Sequence, residues 1–268
     1  MDNPKTKITA EIFFTPAQVD DLFLREKNVA VVDVLRASTT IITALSNGAR
    51  EIIPVPSIES AVKISGSLFG DVTLRGGERH AKMIEGFNLG NSPAEYTEET
   101  VKGKSIIFCT TNGSLAITKG RYAKNLVVAG FVNISKVAEF LASIGEDFYI
   151  LCAGNQNNFC IEDVVCAGMI LSKTEQILGQ NFVIGDSGLA AMSLFKTYNR
   201  SILKMIRQSD HGKYLTDLGF REDIKICSGI DTIPEVPIFA NNVLTLKRDD
   251  TKKTETEVKP KQKSSQKK

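Results

Sequence analysis

The sequence predicts an α/β protein with three layers (α/β/α), in which a largely parallel or mixed sheet lies between two layers of helices. Short runs rich in Val and Ile alternate with longer segments whose apolar residues recur at helical spacing. Because these runs are continuously apolar, they are typical of strands that are buried on both faces. Strands separated by helices indicate βα units, whose helices cover the sheet.

The predicted elements follow one another as strand–helix pairs. The strand 29–34 precedes the helix 39–49, for which Gly48 supplies a C-terminal cap. The strand 51–55 precedes the helix 57–65, with Ser57 as its N-cap. Three further pairs follow: 105–110 with 115–120, 125–130 with 133–145, and 147–154 with 161–178.

The series of units suggests two similar α/β halves, residues 1–125 and 126–246, followed by a Lys-rich tail, residues 247–268. The tail has nine Lys or Arg residues, four Asp or Glu residues and no aromatic residue. Such a segment buries too little apolar area to offset the entropy lost on ordering, so we predict that it is disordered.

The tail also accounts for the basic character of the chain. The formal net charge is +2, but residues 1–246 contain 24 basic and 27 acidic residues, which leaves this part at −3. Binding of nucleic acid by the tail would be salt-sensitive and would disappear on its removal. A solvated extension is the simpler interpretation, and no nucleic-acid partner is predicted.

Several classes of protein are excluded by composition. No apolar run of the 268 residues approaches the roughly 20 that cross a bilayer, and residues 1–10 lack the apolar core of a secretory signal. The odd number of cysteines, five, predicts buried, reduced thiols in a cytoplasmic protein. Two histidines and the absence of C-x-x-C spacing exclude a zinc knuckle and a His-rich metal centre.

Three of the units have a polar loop between the end of the strand and the start of the helix. These loops are residues 33–39, 110–114 and 153–163. Ligands of open α/β sheets bind beyond the carboxyl ends of the strands, and helix N-termini at that edge favour anions. The loops therefore predict one anion-binding site.

The first loop combines an acid, a cation and hydroxyl groups. Asp33 interrupts an apolar strand, where an unpaired carboxylate is costly, so a cation is expected beside it. Arg36 is a candidate fork for phosphate or carboxylate, with a surface arginine as the alternative. Ser38 and Thr39 are candidate substrate ligands, although helix capping alone explains these hydroxyls.

The second loop offers hydroxyls, an amide and a glycine. Thr110, Thr111 and Asn112 precede Gly113, which permits close approach of a bound oxyanion. A plain Asn-Gly turn is the alternative.

The third loop ends in two adjacent acids, Glu162 and Asp163, at the start of a helix. Acids there commonly complement the helix dipole, and neighbouring side chains on a helix point in different directions, so one of the two is expected to face a site. Mg²⁺ takes one or two carboxylates together with waters and phosphate oxygens. Asp33 with either acid, joined by Glu78, meets that requirement.

Residues 74–96 form a Gly-rich stretch without clear periodicity, which predicts a long loop. Loops of this length are uncommon unless they bind something. Its cations, Arg75, Arg79, His80 and Lys82, are candidates for contact with an acidic substrate, and a plain surface loop is the alternative.

Six segments taken together resemble the 2-phosphosulfolactate phosphatase family. In order between about residues 28 and 239 they read VVDVLRASTTI, GER…I.GF.LGNSPAE, TTNGS, AG…EDVVCAG, SDHGKYLTDLGF and VPIF. The resemblance implies a Mg²⁺-dependent hydrolase that converts 2-phospho-3-sulfolactate into 3-sulfolactate and phosphate, a step toward coenzyme M in some microbes. It also implies two similar α/β/α halves and a homodimer.

The resemblance places the site at the positions that match its motifs. These are Asp33, Arg36, Ser38, Thr39, Glu78, Asn91, Ser92, Thr110, Thr111, Asn112, Gly113, Glu162, Asp163 and His211. The tail lies outside the resemblance and is not expected to affect catalysis.

The chemistry of such a substrate suggests roles for these residues, because phosphoryl transfer depends on positioning and charge stabilisation. We expect Mg²⁺ to be held by Asp33 and by Glu162 or Asp163. The phosphate is expected to contact Thr110, Thr111, the Asn112–Gly113 backbone and Arg36. The sulfonate or carboxylate of the substrate is expected to pair with Arg75, Arg79 or Lys82. Glu78 or the second acid of the pair is the expected base, and His211 the acid.

We expect water to attack phosphorus directly, because DVLR lacks the second aspartate of the D-x-D pair that accompanies an aspartyl phosphate. Two other functions stay open: a phosphatase of the same fold for another small acidic phosphoester, and a non-catalytic anion-binding protein.

Overall fold

The computed structural model describes residues 7–20, 22–67 and 72–246, which form one sheet with helices on both faces. The strands are β1 (Ile8–Phe13), β2 (Asn28–Val32), β3 (Glu51–Pro54), β4 (Thr73–Arg79), β5 (Lys82–Met83), β6 (Ser105–Cys109), β7 (Asn125–Ala129), β8 (Phe148–Cys152), β9 (Phe182–Ile184), β10 (Pro237–Ala240) and β11 (Val243–Leu246). The tail, and with it the prediction of disorder, lies outside the described residues.

The α-helices of the described residues lie mostly between consecutive strands. They are α1 (Ala37–Ser46), α2 (Ile58–Ser67), α3 (Glu98–Val101), α4 (Gly113–Lys119), α5 (Ile134–Ile144), α6 (Ile161–Leu178), α7 (Asp186–Tyr198), α8 (Ile202–Gln208), α9 (Asp210–Asp217) and α10 (Arg221–Cys227). None of them combines the length and the apolar character needed to cross a bilayer.

The five predicted strand–helix pairs are confirmed as β2–α1, β3–α2, β6–α4, β7–α5 and β8–α6. The predicted caps are also present. Gly48 follows α1 with a φ of 88°, a conformation that glycine adopts without strain. The hydroxyl of Ser57 accepts a hydrogen bond from the N–H of Ser60 at 3.2 Å in the first turn of α2.

The sheet contains two blocks of parallel strands that are joined by an antiparallel hairpin. The strand order is β5-β4-β6-β3-β11-β10-β7-β2-β8-β1-β9. One block is β4, β6 and β3, and the other is β7, β2, β8, β1 and β9. The hairpin β10–β11 pairs antiparallel with β7 on one side and with β3 on the other. The predicted mixed, mostly parallel sheet is therefore confirmed.

Strands from the two predicted halves alternate within this sheet. β2, from residues 1–125, lies between β7 and β8. The two halves thus share one sheet, and the boundary at residue 125 stays a prediction.

The core lies on both faces of the sheet, and β2 shows why. Its residues are buried throughout. Val29 and Val31 belong to the cluster that includes α1 and α4, whereas Ala30 and Val32 belong to the cluster that includes α5 and α6. Complete burial of each valine contributes about 1.5–3 kcal/mol. A strand that is apolar on both faces therefore requires helices on both sides, which confirms the three layers.

The prediction of a long loop at 74–96 is wrong for its first part, which forms β4 and β5. The glycines there serve close packing. A Cβ atom on Gly76 would collide with the hydroxyl of Tyr96, and one on Gly77 would collide with the carbonyl oxygen of Cys109 in β6. Gly77 also has a φ of 144°. Glycine inside a strand commonly marks such an approach of two backbones.

The five cysteines are buried and unpaired, as predicted.

Candidate active site

A cleft of about 220 Å³ lies at the carboxyl edge of the sheet, where the loops after β2, β4, β6 and β8 meet helix α9. The structure therefore brings the three polar loops together. The predicted site residues that line the cleft are Asp33, Arg36, Glu78, His80, Asn91, Thr110, Thr111, Asn112 and His211.

Asp33 is positioned by the first turn of α1. Its N–H donates to Ser38 Oγ at 2.9 Å, and its Oδ1 accepts a hydrogen bond from the N–H of Ala37 at 3.3 Å. Burial raises the pKa of Asp33 to about 6; His211 and the Ala37 N–H oppose this rise, while Glu78 and Glu162 add to it. The carboxyl group therefore lies in a buried cluster of other acids, where a cation would lower its energy.

Glu78 connects two of the loops. Its Oε1 accepts a hydrogen bond from the N–H of Thr111 at 2.7 Å, and its Oε2 accepts one from the N–H of Ala81 at 2.9 Å. The loops after β4 and β6 are therefore held together by one carboxylate in the wall of the cleft.

The two acids of α6 differ in their partners. Asp163 accepts hydrogen bonds from the N–H of Val34 at 2.8 Å and from the N–H of Gly154 at 3.0 Å, so it joins the loops after β2 and β8. Burial raises its pKa, and Asp33 and Glu162 raise it further. Glu162 is 1% exposed, and neither of its carboxylate oxygens accepts a hydrogen bond. Its Oε1 lies 3.3 Å from Nδ1 of His211.

Arg36 forms a buried ion pair in the floor of the cleft. One terminal nitrogen lies 2.7 Å from Asp223 Oδ2, and the other donates to the carbonyl oxygen of Ala81 at 2.8 Å. The guanidinium carbon lies 4.1 Å from the ring centroid of Phe220. A predicted fork for phosphate is therefore already engaged by a carboxylate on one nitrogen and by a carbonyl on the other.

Four predicted substrate ligands lie outside the cleft because their side chains or backbone serve the loops themselves. Ser38 accepts a hydrogen bond from the Asp33 N–H, and Thr39 donates to the carbonyl oxygen of Val34 at 3.4 Å. Neither hydroxyl caps α1, whose N-cap residue is Arg36, so the capping alternative is wrong and both hydroxyls bond the backbone of the loop instead. Ser92 donates to Asp223 Oδ1 at 2.7 Å. Gly113 packs under Asp33: a Cβ there would lie 2.6 Å from Asp33 Oδ2.

The cations of β4 and β5 do not line the cleft either. Arg79 donates to the carbonyl oxygen of Glu78 at 2.9 Å and to Sγ of Cys109 at 3.2 Å. The guanidinium of Arg75 lies over the ring of Phe87, at 5.7 Å from its centroid, and Lys82 is exposed on β5. The predicted contacts of these cations with substrate lack support in this geometry, because β4 and β5 direct them away from the cleft.

Comparison with known proteins identifies the family. Residues 13–242 match the family model described as 2-phosphosulpholactate phosphatase. This chain belongs to the 2-phosphosulfolactate phosphatase family.

Similar proteins carry the name probable 2-phosphosulfolactate phosphatase. One from Caldanaerobacter subterraneus subsp. tengcongensis is 38% identical over 239 residues, which are 89% of this chain and 98% of that protein. One from Thermotoga maritima is 41% identical over 221 residues, 82% of this chain and 92% of that protein. One from Symbiobacterium thermophilum is 40% identical over 218 residues, 81% and 92% of the two chains.

Several residues of the cleft in this member of the family were not predicted from sequence. Asn155 and Gln156 line it, and the N–H of Gln156 donates to Asn112 Oδ1 at 3.0 Å. Tyr214 lines it as well, and its hydroxyl donates to the carbonyl oxygen of His80 at 3.2 Å. Asp223 resembles any acid in the first turn of a helix, so no signal in the sequence separates it from a surface residue.

Proposed function

We propose that this member of the family hydrolyses 2-phospho-3-sulfolactate to 3-sulfolactate and phosphate, with Mg²⁺ as its cofactor. Family membership supports the reaction. One structural observation carries the assignment of the site. Among the described residues, the buried side-chain polar atoms without a hydrogen-bond partner are Asn91 Oδ1, Thr111 Oγ1 and the two carboxylate oxygens of Glu162.

Those atoms have hydrogen-bonding capacity that a ligand can satisfy. Buried polar groups in folded proteins are nearly always bonded, so each exception requires an explanation. Asn91 and Thr111 line the cleft, and Glu162 contacts His211, which lines it as well. An oxygen-rich substrate and a cation are the partners that would complete this arrangement.

Asp33 and Glu162 are the residues that would hold Mg²⁺. Both are buried carboxylates, the ligand type that Mg²⁺ prefers, and the unpartnered oxygens of Glu162 favour a cation. Asp163 fits less well, since each of its oxygens already accepts a backbone N–H. When bound, Mg²⁺ supplies positive charge for the phosphoryl oxygens.

The remaining steps are assigned to groups of the chain itself. Glu78 accepts a proton from the attacking water: each of its oxygens takes one backbone N–H, which leaves further lone pairs on a carboxylate that is held in place. His211 donates a proton to the leaving oxygen. Arg36 contributes positive charge at the floor of the cleft, and Thr111 donates its free hydroxyl to the phosphate.

Direct attack by water remains our proposal, and it is separable from an aspartyl-phosphate route. In that alternative Asp33 attacks phosphorus and the enzyme carries the phosphoryl group. Enzyme quenched in acid during turnover is expected to carry no phosphate on Asp33. Detection by mass spectrometry of a phosphorylated peptide containing Asp33 would contradict direct attack and support the aspartyl-phosphate route.

The activity itself is tested by phosphate release from a panel of phosphoesters. We expect turnover of 2-phospho-3-sulfolactate in the presence of Mg²⁺, and a loss of about 100- to 1000-fold in kcat/KM for Asp33→Ala. Asp186→Ala is the matched control, because Asp186 is also an acid at a strand-to-helix junction, as the first residue of α7, but lies outside the cleft. No phosphate release by the wild type would favour a non-catalytic anion-binding protein.

The sulfonate is the least supported part of the substrate, because Arg75, Arg79 and Lys82 do not line the cleft. If 2-phospholactate is turned over as fast as 2-phospho-3-sulfolactate, the sulfonate is not required and the substrate is another small acidic phosphoester. A homodimer, a cytoplasmic location and a place on the route to coenzyme M are also proposals that rest on the resemblance, and sedimentation of the purified chain tests the first.

A further inference from the structure

A second set of donor atoms lies beside the cleft. Cys160, Glu162 and His211 each place one potential ligand atom within 4.8 Å of the others. Cys160 immediately precedes α6, Glu162 lies in its first turn, and His211 lies in the first turn of α9. The starts of two helices from distant parts of the chain therefore face each other here.

Glu162 is the member of this cluster whose environment favours a bound cation. It is 1% exposed and both of its oxygens lack a hydrogen bond, even though Nδ1 of His211 is 3.3 Å from Oε1. Two ligands of a tetrahedral zinc ion lie about 3.3 to 3.6 Å apart, given bonds of about 2.0 to 2.3 Å. The nitrogen and oxygen already have that separation, and the sulfur lies within 4.8 Å of both, so it would move by at most about 1 Å to join them.

The donor set decides the class of ion. Thiolate and imidazole suit zinc and its transition-metal neighbours, whereas Mg²⁺ takes oxygen ligands. One thiolate and one carboxylate also balance the two positive charges of such an ion, which lowers the cost of burying it.

We propose that Cys160, Glu162 and His211 bind a divalent transition-metal ion of the zinc class. A cavity of about 390 Å³, which these residues line together with Ser209 and Asp210, gives the ion access and room for a water ligand. On binding, the proton of the Cys160 thiol passes to solvent and the sulfur bonds the metal. The site shares Glu162 and His211 with the proposed hydrolysis: Oε1 of Glu162, which lies beside Nδ1 of His211, would bind this ion, and Oε2 would remain for Mg²⁺.

Titration with Co²⁺ tests the proposal without any assay of activity. The full chain, stripped of metal with a chelator, is expected to develop the near-ultraviolet charge-transfer band of a thiolate–Co²⁺ bond. The band should saturate at one equivalent, disappear when Zn²⁺ is added, and persist in a large excess of Mg²⁺. Absence of the band in the wild type, or its loss to Mg²⁺, overturns the proposal whatever the variants do.

Substitutions locate the site. Cys160→Ser is expected to lack the band and to bind Zn²⁺ about 100-fold more weakly, or worse, by calorimetry. Cys109→Ser is the control, because Cys109 is also buried but lies outside the cluster, and it is expected to keep the band. Circular dichroism verifies that both variants are folded. A full band in folded Cys160→Ser, or its loss in folded Cys109→Ser, would assign the metal to other residues.

Discussion

At the scale of the residue, the acids of the site differ because their partners differ. Asp163 and Glu78 each accept two backbone N–H groups and hold loops together. Glu162 has no such donors, and Asp33 accepts one N–H, from Ala37, in a buried cluster of acids. Carboxylates that a sequence cannot distinguish thus become structural groups or ligand-binding groups through the donors around them.

Asp33 is expected to lower stability in the metal-free protein at neutral pH. Its folded pKa of about 6 lies above the ordinary value of 3.8. Below 3.8 the carboxyl is protonated in both states and costs no stability, and the folded protein loses stability as the pH rises from there through 6. The ionised carboxylate then costs about 3 kcal/mol. Asp33→Asn should therefore stabilise the chain near pH 8 and have little effect near pH 4, as measured by urea denaturation with a chelator present.

Asp186→Asn serves as the control for that experiment, since Asp186 is exposed. The same change in unfolding free energy for Asp33→Asn at both pH values would contradict the expected cost of ionisation.

Asp223 is expected to be a major contributor to stability. It pairs with Arg36 and accepts a hydrogen bond from the hydroxyl of Ser92, both in buried positions. Asp223→Ala leaves the guanidinium without its carboxylate, which should cost about 3–5 kcal/mol in denaturant unfolding. Its neighbour Glu222 pairs with Lys225 on the surface, so Glu222→Ala should change stability by about 0.5 kcal/mol or less. Equal effects of the two substitutions would show that the buried pair carries no special weight.

At the scale of the element, local pattern accounts for the strand–helix pairs but not for β4. The strand–helix pairs are predictable from sequence because apolar residues on one face of a strand or helix recur every few residues. The glycines of β4 resemble a loop, yet they are placed by contacts with β6 and with Tyr96. Those contacts are distant in sequence, so no local rule detects them.

Gly77→Ala is expected to separate β4 from β6. The new methyl group would meet the Cys109 backbone at a φ that alanine rarely adopts, which should cost about 3 kcal/mol or more. Gly86→Ala is the matched control: Gly86 also has a positive φ, of 77°, but its added Cβ meets nothing within 4 Å, so it should cost about 1–2 kcal/mol. Thermal denaturation of both variants measures the difference, and equal costs would mean that the clash relaxes freely.

At the scale of the whole molecule, the hairpin β10–β11 joins the two parallel blocks of the sheet. It pairs with β7 on one side and β3 on the other, and Leu244 of β11 is completely buried in the core cluster that includes α1 and α4. The last described segment of the chain therefore completes the sheet that carries the cleft.

Two truncations test this arrangement. A chain ending at residue 246 lacks only the Lys-rich tail and is expected to keep its stability and its phosphate release. A chain ending at residue 236 also lacks the hairpin and should lose cooperative unfolding, because the facing edges of β3 and β7 are left unpaired. Calorimetry compares the two, and a cooperative transition in the shorter chain would contradict the role of the hairpin.

Local periodicity and chain order were enough to predict the βα units, the burial of the strands on both faces and the loops that meet at the carboxyl edge. The tertiary structure was needed to show that Glu162, and not Asp163, has carboxylate oxygens that accept no hydrogen bond, that Arg36 pairs with Asp223, and that Cys160 and His211 lie beside Glu162. These outcomes depend on contacts between residues far apart in the chain, whose geometry is set by the packing of helices on a shared sheet and leaves no periodic trace in the sequence.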